Sequence, residues 1–588
     1  TPVSELRVPA GRSALIAHRL ERFSASTYGV LWTAAIAGRE FDIRLLVVAG
    51  AGSEPAVRLA LSEALSAGLL HATRKRKNGS FAFTHDEVAE VLIDGLPAQQ
   101  RKQLHLRVAQ ALEKLRPDSA DDIALHYDSA DEQPDAYCWG QFAAKAAERV
   151  YAFSAASAYL QLAARNATSP GELAEIRVAL AHLSETGGRF DEVEELCDLA
   201  IEWFDGQGDE RRSLTLRRLR ERARMELGQP ALVTLEALKV LEAEAKRLGF
   251  DHESVAVLLM MSQTYGRLGD RRTSERFAAE GVAMAEQVGD TLLLADAVTR
   301  LGGAMFSESP NRAYTILERA LSLYESAGDA RGQARTYGNM GVVAQFESRL
   351  DVAFEAYSKA ITVGRAGGIP DMWGVGAMNL GVLHQRCGDY DKARDLFGEA
   401  LGLFVAVKHS EYQLAALFNL AHAEREVGLW QSATQLYETT VSLAQRIGQA
   451  DIEAGATAGA GLCALELGDE NAARSAIRAL RSRTKDRSDW FVGREVVEAL
   501  QIRTDVADDE RRHHAVERLA RSVELAESTD MYCAAWLISS CAEAVSRIDR
   551  TRVGELLYAY ADRVRKLGYP EMTRRFDALE SSLERPQP

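Results

Sequence analysis

The sequence predicts an all-α chain: a long solenoid of paired helices preceded by a small domain of three helices and a two-stranded wing. Three observations carry this. Proline is scarce, 13 in 588 residues, in a composition led by Ala, Leu, Arg and Glu, which favours helices. A 40-residue unit recurs in register near the middle of the chain. Residues 24–96 alone break that pattern with a strand-turn-strand signal. At this length a single compact core is not expected, and an extended array or several domains is.

Taken in order, Ser24 to Ala37 reads as a helix, Asp42 to Val48 as a short one, and Glu54 to Ala67 as a third with Val57, Leu61, Ala64 and Leu65 on one face. Leu69 to Thr73 and Ser80 to Phe83 form a hairpin around a basic turn in which Asn78-Gly79 is a favoured turn pair. Three helices followed by such a wing describe a winged helix over 24–96. Domains of this kind often bind DNA with the third helix in the major groove and the wing on phosphates. The wing residues Arg74, Lys75, Arg76 and Lys77 suit that use. The third helix does not, since it offers Arg58 and two glutamates on an otherwise apolar or small surface. A solvated basic hairpin is the other reading.

Residues 97–139 read as a helical connector, and 140–585 as the repeat array, about ten helix pairs. "NMGVVAQFESRLDVAFEAYSKAI" begins at Asn339, "NLGVLHQRCGDYDKARDLFGEAL" at Asn379 and "NLAHAEREVGLWQSATQLYETTV" at Asn419. The same chemistry returns every 40 residues: Gly341, Gly381, Ala421; then Leu350, Tyr390, Trp430; then Ala353, Ala393, Ala433; then Tyr357, Phe397, Tyr437. Small residues stand where two helices cross closely, and bulky ones fill the gap between neighbouring pairs. Gly388-Asp389 and Gly428 mark the turns within two of the pairs. These spacings resemble the longer form of the tetratricopeptide repeat, which implies a right-handed tetratricopeptide-like α-solenoid.

The net charge of −15 argues against nucleic-acid binding by the chain as a whole, because a duplex would repel it. The charge is uneven: residues 1–116 hold 16 Lys and Arg against 11 Asp and Glu, and the remainder 54 against 74. No apolar run approaches the roughly 20 residues that cross a bilayer. The six cysteines form no C-x-x-C pair and no zinc spacing with histidine; buried free thiols in a reducing cytoplasm are expected. No metal site is expected either. Thr1 is not an initiator methionine, and the opening residues lack the basic start and apolar core of a signal peptide. The chain is therefore expected to begin inside a longer protein.

"VPAGRSALIAHRLERFS", "LWTAAIAGREFDIRLLVVAG", "ALSEALSAGLLHA" and "FAFTHDEVAEVLIDGLPAQQRKQLHLRVAQALE" occur in that order. Together they resemble the winged-helix segment that links the ATPase core to the repeat array in STAND signal-transduction ATPases, among them LuxR-type and antibiotic-regulatory activators. The resemblance implies that residues 1–23 end an upstream ATPase region. It also implies that ATP or ADP serves the intact protein, with no cofactor in this chain. In that family a His-Asp pair follows the wing strand, and its histidine contacts the phosphate of ADP in the closed state. His85 and Asp86 match the pair, although Thr84 replaces the commoner methionine before it. A histidine at a helix start can donate to a phosphate oxygen, aided by the first-turn amides. The plainer reading is an ordinary cap in which Thr84 or Asp86 stabilises the helix end and His85 packs.

No G-x-x-x-x-G-K-[ST], H-E-x-x-H or G-x-S-x-G is present, and no nucleophile has a nearby base, so the chain is not expected to be an enzyme and has no catalytic residues. The expectation is the regulatory region of a cytoplasmic STAND-type transcriptional regulator. Its array would bind a protein, peptide or small-molecule effector, with the ATPase in cis, no membrane contact, and DNA reached only through an output domain elsewhere. A freestanding scaffold for protein assembly, or the regulatory half of a nucleotide cyclase or kinase, are the alternatives. Asn339, Asn379 and Asn419 each precede an apolar residue read as buried (Met340, Leu380, Leu420). They are the candidate groove residues, since a ladder of carboxamides can pair with successive peptide groups of an extended ligand. The competing reading makes each asparagine a bond to its neighbouring helix.

Overall fold

The computed structural model describes residues 16, 19–20, 22–73, 80–150, 152–306, 308–484 and 493–584. Among them lie twenty-nine helices and three short strands, an all-α solenoid with one small sheet. The chain divides into two compact units, residues 1–183 with 196–208, and residues 184–195 with 209–588.

The N-terminal unit opens with α1 (Ala25–Ala37), whose N-cap Ser24 accepts a hydrogen bond from the Thr27 amide at 3.2 Å. Strand β1 (Glu40–Asp42), helix α2 (Ile43–Val48), helix α3 (Glu54–Ser66), strands β2 (Leu70–Thr73) and β3 (Ser80–Phe83) and helix α4 (Asp86–Asp94) follow. The sheet has three strands, not two, in the order β1-β3-β2 with both pairings antiparallel. The extra strand corrects the expected start of the second helix: Asp42 ends β1 and caps α2, its carboxylate accepting from the Leu45 amide at 2.8 Å. Phe41 holds β1 in place, because its buried ring lies 5.5 Å from that of Phe83 and 6.4 Å from that of Phe81. On α3 the buried stripe is Val57, Ala60, Leu61 and Ala64, and Leu65 is exposed, contrary to the expected face. One core runs from these elements into the helices Ala98–Leu115, Ala120–Ala130 and Gln133–Arg149. The Arg116–Asp42 ion pair joins the end of the first of these to β1. The basic wing Arg74–Lys77 and the Asn78-Gly79 turn lie outside the described residues.

In the C-terminal unit nineteen helices run from Glu210 to Glu584. At its centre the pairs Ala330–Phe346 with Leu350–Ala366, Pro370–Cys387 with Tyr390–Ala406, and Ser410–Glu426 with Trp430–Ile447 repeat the predicted 40-residue spacing. The alanines Ala353, Ala393 and Ala433 are fully buried, as are the rings of Tyr357, Phe397 and Tyr437. Gly381 explains the small position: a Cβ there would come 2.7 Å from Cε1 of Phe397, and one on Gly341 would lie inside contact distance of the Tyr357 ring. The predicted turn glycines Gly388 and Gly428 have φ of 87° and 81°, a conformation that side-chain-bearing residues adopt only under strain. The cysteines depart from expectation at Cys138, which is exposed; Cys197, Cys463 and Cys541 are buried, and all six are free.

Candidate functional site: the inner face of the central repeats

Asn339, Asn379 and Asn419 occupy the same register on the helices Ala330–Phe346, Pro370–Cys387 and Ser410–Glu426. All three are half-buried. Among the described residues none of their side chains makes a hydrogen bond within the chain. Asn379 lies against the preceding repeat, its Nδ2 3.9 Å from the position of a Cβ on Gly338. Of the apolar residues that follow them, Met340 is buried, whereas Leu380 and Leu420 are only half-buried. The face that carries the asparagines is therefore less sealed than the spacing implied.

About two helical turns before the asparagines, a charged row that sequence reasoning missed repeats with the same period. Arg331 grips Asp371 through two hydrogen bonds, Nη1 to Oδ2 at 2.6 Å and Nη2 to Oδ1 at 3.0 Å, and the carboxylate is buried. The next member is Glu411. Burial, with the Glu226 carboxylate nearby, pushes its carboxyl up to about 7 against the opposing pull of Arg267, and it accepts a hydrogen bond from Gln449 Nε2 at 3.4 Å. His409 caps the same helix and stacks on Tyr412 at 3.9 Å between ring centroids. Burial pushes its imidazole down to about 4. The signal for this row was present in the period itself, since positions 331, 371 and 411 are equivalent.

Residues 375–446 match the tetratricopeptide repeat family. The match covers the repeats that carry Asn379 and Asn419, and Asn339 lies before it. No curated protein sequence matches the chain. Among solved structures, the chain is similar to a STAND protein with a tetratricopeptide repeat sensor from Pyrococcus horikoshii, at 12% identity and a TM-score of 0.37 over 82% of this chain and 67% of that one. A Rap protein in complex with the competence and sporulation factor gives 14% identity and a TM-score of 0.39 over 70% and 98%. The apo form of RapI gives 12% and 0.35 over 70% and 97%.

Below the tetratricopeptide asparagines, the last turns of the same helices carry Arg386, His422, Arg425 and Glu426. Burial with Arg425 beside it drives His422 down to about 3. For Glu426 burial acts to raise the carboxyl, but Arg425, His422 and Arg575 outweigh it and hold it at about 2. A separate cavity of about 1010 Å³ lies among Arg474, Arg494, Glu498, Asp505 and Arg518. Four of these charges are engaged with one another: Arg518 reaches Glu498 and Asp505, each at 3.3 Å, and Arg494 reaches Glu498 at 3.5 Å, while Arg474 pairs with Glu470.

In the N-terminal unit, His85 is the N-cap residue of α4 (φ −139°, ψ 140°), and its ring makes no capping hydrogen bond. His85 and Asp86 are both exposed. The Thr84 hydroxyl donates to the Gly68 carbonyl at 3.0 Å and is thereby turned away from the helix end. His85 and Asp86 border a cleft of about 750 Å³ together with Arg39, Glu40, His71 and Glu87. Arg39 was not legible as a neighbour of His85, because only the unexpected strand β1 brings it alongside β3, whereas His71 lies on the hairpin the sequence already predicted. Among the described residues no helix is long and apolar enough to cross a membrane, and no three His, Cys, Asp or Glu side chains are grouped to hold a metal ion.

Proposed function

We propose that the chain is the sensor region of a STAND-type transcriptional regulator, in which the inner face of the tetratricopeptide repeats binds a protein or peptide effector. The observation that supports this most is the ladder of Asn339, Asn379 and Asn419, half-exposed at one register with no hydrogen bond inside the chain. A carboxamide left without an internal partner is free to pair with a ligand peptide group, donating with its NH2 and accepting with its oxygen. Spacing by one repeat lets successive asparagines address successive stretches of an extended peptide whatever its side chains.

In the same proposal the segment 24–96 is a winged helix that passes the binding event to an ATPase in cis. His85, with Arg39 and His71 in the same cleft, is the group that meets the phosphate of a bound nucleotide. The effector shifts the equilibrium because it binds one state better than the other. The chain itself is not catalytic in this reading, and it acts in the cytoplasm.

The groove is tested by screening the protein against an immobilised library of extended hexapeptides and comparing it with Asn379→Ala. Retained peptides are expected to bind the variant at least about tenfold more weakly, with the melting temperature moved by no more than about 1 °C. A clear drop in melting temperature with unaltered peptide affinity would make the asparagines structural.

A further inference from the structure

The last turns of the central repeats meet helices from the far end of the chain. Arg386 Nη2 donates to Asp530 Oδ2 at 2.7 Å, and its guanidinium lies over the rings of Tyr532, 4.5 Å from the centroid, and Tyr569, at 5.9 Å. Arg575 Nη2 donates to the Tyr390 hydroxyl and to Glu426 Oε2, each at 2.8 Å. Trp536 Nε1 donates to Glu426 Oε1 at 3.3 Å while the Arg425 guanidinium stands 5.0 Å from a Trp536 ring. The backbones are close as well, since a Cβ on Gly388 would lie 2.6 Å from Cβ of Glu571.

The helix Pro570–Glu584 presents itself to this surface as a ligand helix does. Tyr569 just before it, then Met572 and Phe576, are buried at spacings of three and four residues, in one core with Tyr357 and Leu383 of the central repeats. Those spacings are the anchor pattern of an amphipathic helix laid in a groove. Glu571 and Arg575, paired at 3.0 Å, flank the anchors.

The chemistry of this contact differs from that between successive repeats. There, alanines and aromatic rings meet, with Arg331–Asp371 as the charged pair; here, beside the apolar anchors, Arg386, Arg425, Glu426, Asp530 and Arg575 are brought together. Desolvating such groups cancels much of their attraction, so the charged part of the contact adds little to holding it shut. A charged and aromatic surface suits a contact that also exists open to water. The pairing is incomplete too: Arg425 Nη1 is buried there with no hydrogen-bond partner.

We infer that the last-turn side of the inner face is a docking surface for an amphipathic helix carrying aromatic anchors and an arginine, and that the chain's own helix Pro570–Glu584 occupies it in cis. A partner helix of the same chemistry competes with that segment for the surface. The inference rests on the reading of the inner face as a partner-binding surface, and it concerns a part of that face distinct from the asparagines.

The test uses the full chain and a fluorescein-labelled synthetic peptide of residues 566–584. Phe576→Ala in the chain weakens the cis helix and leaves Arg386, Tyr390 and Glu426 intact. The labelled peptide is expected to bind this variant at least about tenfold more tightly than the unaltered chain, and a peptide carrying the Arg575→Ala change is expected to lose that gain. Arg575→Glu in the chain, which breaks the cis contact without opening a cavity, is expected to give the same gain. Peptide binding no better to either variant than to the unaltered chain overturns the inference. Asn379→Ala is expected to leave the gain unchanged, so the ladder and the docking surface fail separately.

Discussion

Arg386 and Asp530 stand 144 residues apart in the sequence and 2.7 Å apart in space. Their side chains are 20% and 33% exposed, so the pair is sheltered and water still reaches it. Removing the arginine leaves a sheltered carboxylate without its cation, a larger loss than removing both charges. Arg386→Ala is expected to destabilise the chain by about 1–2 kcal/mol, and the exchange Arg386→Asp with Asp530→Arg to recover part of that. Urea denaturation of the two variants beside the unaltered chain checks both, and equal stability of Arg386→Ala and the unaltered chain would show that the pair contributes nothing.

The glycines of the repeats separate into two kinds with opposite expected signs. Gly381→Ala places a methyl group 2.7 Å from the Phe397 ring; the better helix propensity of alanine, about 1 kcal/mol, is outweighed by overpacking of about 1–3 kcal/mol. Gly398 and Gly402 have nothing within 4 Å of an added Cβ, so alanine there is expected to stabilise by about 0.5–1 kcal/mol. Denaturation midpoints should fall for the first variant and rise for the other two.

Glu411 gives a pH dependence of definite sign. Its folded carboxyl is raised to about 7 from an ordinary 4.5, first by burial and then by Glu226, with Arg267 opposing. The folded state therefore holds a proton that the unfolded state has released, and the stability this contributes is present below about 4.5 and lost as pH rises through about 7. Glu411→Gln keeps a hydrogen-bonding group there without the charge. Its melting temperature relative to the unaltered chain is expected to rise between pH 5 and pH 8; a flat difference would place Glu411 in water. Glu495, also pushed up to about 7 by burial, is common to both chains and drops out of the comparison.

If the proposed function holds, in the protein joined to the proposed ATPase His85→Ala is expected to speed ADP release at least about tenfold, by the loss of one charge-assisted hydrogen bond to phosphate. A nucleotide-exchange assay reads this directly. Unchanged ADP dissociation would leave His85 as no more than the residue that starts α4. The chain described here is expected to hydrolyse no ATP above a mock-purified control, since its sequence has no G-x-x-x-x-G-K-[ST] motif.

The 40-residue unit was legible because it is local physics repeated: Ala353, Ala393 and Ala433 must be small where helices cross, and Gly388 and Gly428 must turn with positive φ. Such requirements act within about forty residues, so they leave a period in the sequence. The candidate asparagines were found the same way, and the row Arg331, Asp371, Glu411 was open to the same reading. Strand β1 was not, because three residues carry no detectable alternation and Phe41 becomes a strand residue only when Phe81 and Phe83 lie beside it. The place of Arg39 in the cleft with His85 depends on that strand. The meeting of Arg386 with Asp530, and of Glu426 with Arg575, was decided by tertiary structure alone. Where the last helices come to lie relative to the central repeats is the sum of every crossing angle between them, and a few degrees at each pair move the far end by many ångströms. The sequence alone determined which faces are apolar and how the helices pair; only packing along the whole array determined which of those faces meet.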